Sequence, residues 1–290
     1  MGDRRLDITK FSYKSYRILK KRLGEFDAVV ECNEIAIREF LERANSTSYS
    51  LNKYIQELSD KHDDIYVDSV NSNKFSLRIR QYFIVSVSQQ FEQFLQDFKN
   101  EFLIYFNEES KWIEKRDGEI LLDNILRNIT NQTTLPLPNT ISSDLILCYN
   151  YYRLIRNFMA HTDRDKRKIE RIHSKIHNNE NNFKEELGLD SLPNELEKID
   201  FSDFILFTNI VKHLAYNMSV KSKPDNDRIA NILFNMPKNN NHSSFQGIKK
   251  LKNNDTRYLS AIKNHLKTHF GRFCSSDSEE IADKFKSLLA

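Results

Sequence analysis

The chain has 290 residues, of which 39% are hydrophobic and 11% aromatic, so it can build a core and is not expected to be disordered as a whole. Only 6 residues are Gly and 5 are Pro, and scarcity of both turn formers favours long helices over sheets. The net charge is +3, but residues 212–272 hold 12 Lys and Arg against three acidic residues, which is typical either of a polyanion-binding surface or of an ordinary solvated face.

The cysteine pattern and the lack of long apolar runs indicate a cellular compartment. Cys32, Cys148 and Cys274 are far apart and form no Cys-x-x-Cys pair, which is typical of free thiols in a reducing environment. The first residues are polar and do not resemble a signal peptide. No stretch approaches the ~18 apolar residues of a transmembrane helix. We therefore expect a cytoplasmic protein without membrane contact.

Apolar residues recur at helical spacing along most of the chain and predict an all-α protein. In chain order, helices are expected over 11–44, 50–60, 75–107, 119–130, 142–161 and 202–219, then one from Asp255 to Gly271 and a last one from Ser276 or Ser278. Residues 178–200 are rich in Asn and Glu and predict a mobile insertion with about one helical turn. Three domains are predicted: an N-terminal helical extension at 1–70, a bundle at 71–220 and a basic helical region at 221–290.

One hexapeptide, Arg156-Asn157-Phe158-Met159-Ala160-His161, combines the residue types that RNA cleavage without a metal requires. A base must remove the proton of a ribose 2′-OH, and an acid must protonate the leaving 5′ oxygen. Histidine titrates near neutral pH and suits both tasks. A cation must stabilise the phosphorane, and arginine donates a planar fork of hydrogen bonds while it stays charged.

These side chains do not all lie on one face of the predicted helix. Arg153, Asn157 and His161 follow at four-residue steps, which drift by only about 40° around an α-helix. Arg156 precedes His161 by five residues, which places it roughly 140° away. One helix therefore presents the arginine and the histidine imperfectly to a single phosphate. Two such helices related by a two-fold axis can present both pairs across a shared cleft.

Arg-Asn-x-x-x-His at the end of a helix resembles the Arg-x4–6-His signature of the HEPN superfamily, in the form with a polar residue after the arginine. The segment 87–95, in which Glu92 stands among apolar residues, is similar to the preceding helix of bacterial HEPN proteins. The similarity covers roughly residues 75–220. It implies a HEPN-like helical bundle, here with a long N-terminal helix before it and a small basic helical appendix after it.

The resemblance implies a homodimeric endoribonuclease without metal or other cofactor, which leaves 2′,3′-cyclic phosphate ends and serves antiphage or toxin-like defence. In this reading Arg156 stabilises the transition state, His161 is the acid or base, and Asn157 orients the histidine or the phosphate. Glu92 and Arg153 have supporting roles, with Glu92 bracing the arginine. An antitoxin or another defence-system protein is the kind of partner, besides RNA, that this family implies.

One position departs from part of the family. The branches that are partnered by a nucleotidyltransferase carry a tyrosine two residues after the histidine, and this chain has Asp163 there. Silencing by nucleotide transfer onto that tyrosine is therefore not expected.

The basic C-terminal region offers a second surface for RNA. The side chains expected to contact phosphate are Lys249, Lys250, Lys252, Arg257, Lys263 and Lys267. They also support an alternative function, in which a catalytically idle HEPN-like bundle binds nucleic acid or a protein partner of a defence complex. A third alternative is a purely structural subunit that assembles through the long first helix. Loss of Arg156 and charge reversal in the basic region distinguish the first two readings.

Two histidine pairs, His173 with His177 and His265 with His269, have the spacing of metal ligands on a helix. Neither pair has the nearby cysteines or histidines that would complete a structural zinc site, although Cys274 follows the second pair. The sequence therefore predicts no metal site.

Overall fold

The computed structural model describes residues 11–62, 64–68, 70–71, 74–106, 112–132, 141–160, 166–180, 183, 191–240 and 243–289. Across these ranges the regular structure is helical, and extended backbone pairs only in an isolated antiparallel bridge between Phe11 and Gly271. The predicted all-α class is therefore confirmed for the part of the chain that the structure describes.

Eleven helices are present in the described ranges. They are α1 (Lys14–Ser46), α2 (Leu51–Ser59), α3 (Phe75–Phe106), α4 (Leu121–Gln132), α5 (Ser143–Ala160), α6 (Lys166–Asn178), α7 (Phe201–Lys221), α8 (Asn226–Asn240), α9 (Ser243–Lys250), α10 (Asp255–Phe270) and α11 (Ser275–Leu288). A short 3₁₀ helix at Leu196–Lys198 precedes α7. None of the helices so described combines the length and the apolar character that crossing a membrane requires.

The sequence predicted α1 to α5, α7, α10 and α11, but it did not predict α6, α8 or α9. Residues 191–200 of the predicted insertion contain the single helical turn that was expected, at Leu196–Lys198, but the side chains of Pro193, Leu196 and Ile199 are buried. Only three of the ten residues in 191–200 are Asn or Glu, and the buried apolar residues pack this segment against its neighbours. The predicted mobility of 178–200 stays a prediction.

The chain folds as two compact units. The terminal unit consists of Met1–Leu19, Glu92–Ile141 and Ala215–Ala290, and the motif unit, named for Arg156 and Asn157, consists of Lys20–Phe91 and Ser142–Leu214. The predicted segments 1–70 and 71–220 each contribute residues to both units. The three predicted domain boundaries stay a prediction.

The first turn of α1 is held in the terminal unit by a carboxylate from α3. Glu101 accepts hydrogen bonds from the backbone N–H groups of Lys14 and Ser15, each at 2.8 Å, and from the Tyr105 hydroxyl at 2.6 Å. An anion at a helix N-terminus is favoured because the unpaired N–H groups carry partial positive charge. The fully buried Tyr13 precedes this turn, with its ring centroid 5.2 Å from that of Tyr105.

Helix α10 begins at Asp255, as predicted, whereas the start of the last helix differs slightly from the prediction. Asn254 caps α10, because its side-chain oxygen accepts from the Arg257 N–H at 3.1 Å. Gly271 ends this helix with a φ of 90°, a left-handed conformation that favours glycine. Helix α11 begins at Ser275, ahead of both predicted starts.

Aromatic side chains pack α3, α5 and α7 together in the motif unit. The ring centroids of Phe83 and Phe204 are 5.9 Å apart, and those of Tyr152 and Phe207 are 4.7 Å apart. Phe204, Phe207 and Tyr152 are fully buried. Each such side chain removes a large apolar area from water, so these contacts fix where α5 lies against its neighbours.

A buried ion pair joins α1 to α3 within the motif unit. The Glu34 carboxylate, which is 3% exposed, accepts from Arg80 Nη2 at 2.7 Å and from Arg38 Nε at 2.9 Å. Burial acts to raise the pKa of Glu34, but the hydrogen bonds from Arg80 and Arg38 outweigh it and leave the pKa below its usual range.

Candidate functional site

Helix α5 carries the motif, and one of its sides anchors it in the motif unit. The Ser142 hydroxyl oxygen accepts from the Asp144 N–H at 3.2 Å and so caps the start of the helix. The buried residues of this helix are Leu145, Cys148, Tyr149, Tyr151, Tyr152, Ile155 and Asn157. Because α5 extends to Ala160 in the described residues, Arg156 and Asn157 lie close to its carboxyl end.

Arg156 and Asn157 are joined by a hydrogen bond between their side chains. Arg156 Nη1 donates to Asn157 Oδ1 at 3.0 Å, and Asn157 is only 8% exposed whereas Arg156 is half-buried. A buried amide that accepts from the guanidinium restricts its orientation, so less side-chain freedom is lost when an anion binds. His161 lies outside the described residues, and its predicted partnership with this pair stays a prediction.

The two predicted supporting residues are half-buried. Arg153 donates from Nε to Asn150 Oδ1 at 3.1 Å, one turn earlier on the same helix. Glu92 lies on α3 and belongs to the terminal unit. Its predicted role as a brace for the arginine stays a prediction.

Two further cations lie beside the last turn of α5, and the sequence analysis missed both. Arg78, on α3, directs Nη1 to Met159 Sδ at 3.3 Å. The Lys166 ammonium, at the start of α6, lies 5.8 Å from the centroid of the Phe158 ring and also pairs with Glu197. Arg78 therefore adds a positive charge beside the end of the motif helix, whereas the charge of Lys166 is partly neutralised by Glu197.

A buried carboxylate holds the middle of α5 to the start of α7. Asp203, which is 1% exposed, accepts four hydrogen bonds. Oδ1 accepts from the Tyr152 hydroxyl at 2.8 Å and from the Asn194 backbone N–H at 2.9 Å, and Oδ2 accepts from Asn194 Nδ2 and the Asp200 N–H, each at 2.9 Å. The bond from Asp200, at the N-cap of α7, is one half of a capping box. We call these four residues the Asp203 network.

Burial sets the protonation states in this network. Burial raises the pKa of Asp203 above its ordinary value, although its hydrogen bonds act in the opposite direction. Burial and the neighbouring carboxylate also raise the pKa of Tyr152 far above its usual value, so the phenol keeps its proton and acts as a donor. The adjacent Tyr151 donates its hydroxyl to the Asn194 carbonyl, which ties a second residue of α5 to the same segment.

Two histidines of α6 share one backbone carbonyl. The Nε2 atoms of His173 and His177 lie 3.1 Å and 3.0 Å from the Pro193 oxygen, and the centroids of their rings are 4.2 Å apart. Burial, followed by the neighbouring His177, lowers the pKa of His173. Pro193 directly precedes Asn194, so α6 is joined to the segment that carries part of the Asp203 network.

The six predicted RNA-binding side chains all belong to the terminal unit. Those that are exposed are Lys249, Lys250, Arg257 and Lys267. The other two are half-buried: Lys252 Nζ donates to the Leu289 carbonyl at 3.3 Å, and Lys263 Nζ lies 3.9 Å from a Glu279 oxygen. The exposed four are the stronger candidates for phosphate contact because their charged groups lie at the surface.

The terminal unit also contains a surface groove with a volume of about 520 Å³ between α3 and α8. Arg228 forms part of its wall, because the guanidinium lies 4.8 Å from the Phe106 ring centroid and donates to the Phe106 carbonyl at 3.2 Å. None of the residues predicted from the motif or the basic region lines this groove.

Among the residues that the structure describes, no group of three His, Cys, Asp or Glu side chains is arranged to hold a metal ion. No protein-family model, curated protein or solved structure matches this chain.

Proposed function

We propose that this chain is a metal-independent endoribonuclease of the HEPN type, which acts on single-stranded or loop RNA as a homodimer. The observation that supports it most is the Arg156–Asn157 pair, in which a guanidinium at the end of an anchored helix is oriented by a buried amide. Arg78, which lies beside the last turn of the same helix, adds a second positive charge that suits a phosphate. The family resemblance supports a role in antiphage or toxin-like defence.

In the proposed reaction, the ribose 2′ oxygen attacks the adjacent phosphorus. The new O2′–P bond forms as the P–O5′ bond breaks, which gives a 2′,3′-cyclic phosphate and a 5′-hydroxyl. His161 of one protomer removes the 2′-OH proton, and its counterpart across the two-fold axis gives a proton to O5′. Arg156 stabilises the charge that accumulates on the phosphorane, and Asn157 keeps the guanidinium oriented.

The test is cleavage of an end-labelled RNA mixture in EDTA by the wild type, Arg156→Ala and His161→Ala, with analysis of the product ends. Matched controls are Arg22→Ala and His62→Ala, which remove the same types of side chain from exposed positions. We expect cyclic phosphate ends from the wild type and both controls. We expect no cleavage by the two motif variants, with far-UV circular dichroism showing that their helices are retained.

Two results would contradict this mechanism. One is full activity in Arg156→Ala or His161→Ala, because no second group in the proposal replaces either. The other is cleavage that disappears in EDTA and returns with Mg²⁺, because the proposed reaction uses side chains alone.

A second function, nucleic-acid binding without cleavage, is favoured by the four exposed cations Lys249, Lys250, Arg257 and Lys267. If it is the true function, Arg156→Ala leaves RNA binding intact, whereas replacing these four by Glu weakens it strongly and reduces the salt dependence of the binding that remains. Measuring binding by fluorescence anisotropy at several salt concentrations, beside the cleavage assay, separates the two functions.

A further inference from the structure

The outward side of α1 carries apolar residues in the middle of the helix. A surface helix normally turns polar side chains to water and buries its apolar ones. Val30 and Glu34 are buried, and Cys32 lies two residues from each, or about 160° away around the helix, on the opposite side. The exposed residues on that side are Ala28, Val29, Cys32, Ile35 and Ala36. We call these five residues the α1 patch.

The α1 patch is contiguous and has a charged border. Val29 and Ile35 are 56% and 63% exposed although both are large and apolar. Exposed charged residues of the same side stand before the patch and after it: Lys21, Arg22 and Glu25, then Glu39, Glu42 and Arg43. An exposed apolar patch with a polar rim is typical of a surface that binds another protein.

The shape of the α1 patch fits a second copy of itself. Val29 and Ile35 are each three residues from Cys32, so they lie about 60° to either side of it. Ala36 lies on the same side as Val29, and Ala28 lies on the same side as Ile35. If two α1 helices pair antiparallel about a two-fold axis at Cys32, Val29 lies opposite the partner's Ala36. Ile35 then lies opposite the partner's Ala28, so a large side chain meets a small one at each of these contacts.

The charges at the two ends of the patch favour this antiparallel arrangement. The border before the patch has two basic residues and one acidic residue, and the border after it has two acidic residues and one basic residue. An antiparallel pair brings the positive end of one helix to the negative end of the other, with Lys21 opposite the partner's Glu42. A parallel pair would instead bring ends of the same charge together.

We propose that the α1 patch is a contact between two copies of this chain, in which the α1 helices pack antiparallel about a two-fold axis at Cys32. A single pair of helices over this length buries less than the about 1,200 Å² of a standard interface, so the association is expected to be weak and reversible. The contact concerns assembly and does not depend on the proposed cleavage, which uses residues of α5.

The first test is sedimentation equilibrium of the full-length protein from about 1 µM to about 500 µM, a range that suits a weak interface. The patch variant is Val29→Glu with Ile35→Glu. The matched control is Ile65→Glu with Ile104→Glu, which places the same charges at apolar positions of similar exposure outside the patch. We expect the patch variant to associate more than about tenfold more weakly than the wild type, because its glutamates repel and lose water on pairing. The control is expected to associate like the wild type.

A mixing experiment identifies the occupant of the patch as a second copy. Val29→Lys with Ile35→Lys should also associate weakly by itself, since like charges then meet across the axis. An equal mixture of this variant with the Glu variant should associate again, because the two altered patches are complementary. Recovery in the mixture also shows that neither variant has lost its fold.

Chemical cross-linking locates the axis. Cys32 is exposed and is expected to face the partner's Cys32, so a short bismaleimide should join two chains through their thiols. Cys32→Ser should remove the cross-linked dimer, whereas Cys274→Ser, the control at another exposed cysteine, should keep it. The proposal is overturned if the wild type is monomeric over the whole range, or if the patch variant associates like the wild type. It is also overturned if the mixture stays dissociated, or if cross-linking is unchanged in Cys32→Ser.

Discussion

The substitution Tyr152→Phe tests whether the Asp203 network holds the motif helix. The Tyr152 ring is fully buried and phenylalanine fills the same space, so the change removes one hydrogen bond and leaves no cavity. That bond, 2.8 Å long, ends on a carboxylate that accepts four donors. A proton on Asp203 would face a donor at every one of these contacts, so we expect the carboxylate to be ionised at neutral pH in spite of its raised pKa. Hydrogen bonds to charged groups contribute about 1.5–3 kcal/mol, and we expect a loss of that size.

Tyr151→Phe is the matched control, because it removes a hydroxyl from the adjacent buried ring that donates to the neutral Asn194 carbonyl. Its expected cost is about 0.5–1.5 kcal/mol. The free energy of unfolding is measured in urea at pH 7 by circular dichroism, and hydrogen exchange of peptides from α5 reports on this part of the chain by itself. In an Asp203→Asn background, Tyr152→Phe should cost about 1 kcal/mol less than in the wild type. A control that costs as much as Tyr152→Phe would refute the charged network.

Two more predictions concern Glu34 and Arg78. The pKa of Glu34 is lower in the folded state than in the unfolded state. Its ion pairs with Arg80 and Arg38 therefore stabilise the protein fully at pH values above the unfolded-state pKa of about 4.3. This stabilisation is lost as the pH falls through the lower pKa of the folded state. The free energy of unfolding, measured in urea from pH 6 down to pH 3, should show this extra loss in the wild type but not in Glu34→Gln. Parallel plots of that free energy against pH for the two proteins would contradict the prediction. Arg78→Ala should weaken binding of single-stranded RNA and reduce the slope of log Kd against log salt by about 0.7, the share of one phosphate contact. An unchanged slope would mean that Arg78 only packs against Met159.

Helices were predictable from the sequence where the apolar stripe is wide and unbroken. Helix α3 places an apolar residue, most often phenylalanine, at every third or fourth position along its length, and no strand pattern competes with a repeat of that length. Helix α6 offers only three isoleucines among eight charged or histidine side chains, and just Ile169 and Ile176 are buried. Its place in the fold depends on contacts with α5 and with Pro193, which no local pattern reveals.

Some residues of the candidate site could likewise be predicted from the sequence, and others could not. The motif is local, so its arginine and asparagine could be found by reading six consecutive residues. Arg78 reaches Met159 across 81 positions of the chain, and nothing near Arg78 in the sequence indicates that approach. Asp200 and Asp203 did leave a local signal, since two acidic side chains three residues apart at the start of an apolar run are typical of a helix cap. The sequence did not indicate that Asp203 also accepts a hydrogen bond from the Tyr152 hydroxyl.

The position of Tyr152 one helical turn before Arg156 connects the structural prediction to the functional one. A helix that is packed only by apolar contacts can rotate about its axis or slide along it at a small cost in free energy. The directional hydrogen bonds from Tyr151 and Tyr152 restrict both movements of α5. A displacement of about 1 Å at a catalytic group can cost about 100-fold in rate. If the Asp203 network serves to position the arginine, Tyr152→Phe lowers cleavage and stability together, although Tyr152 is buried away from any RNA. Arg156→Ala, in contrast, removes cleavage while the fold keeps its stability, and this difference separates a residue that positions the site from one that acts in it.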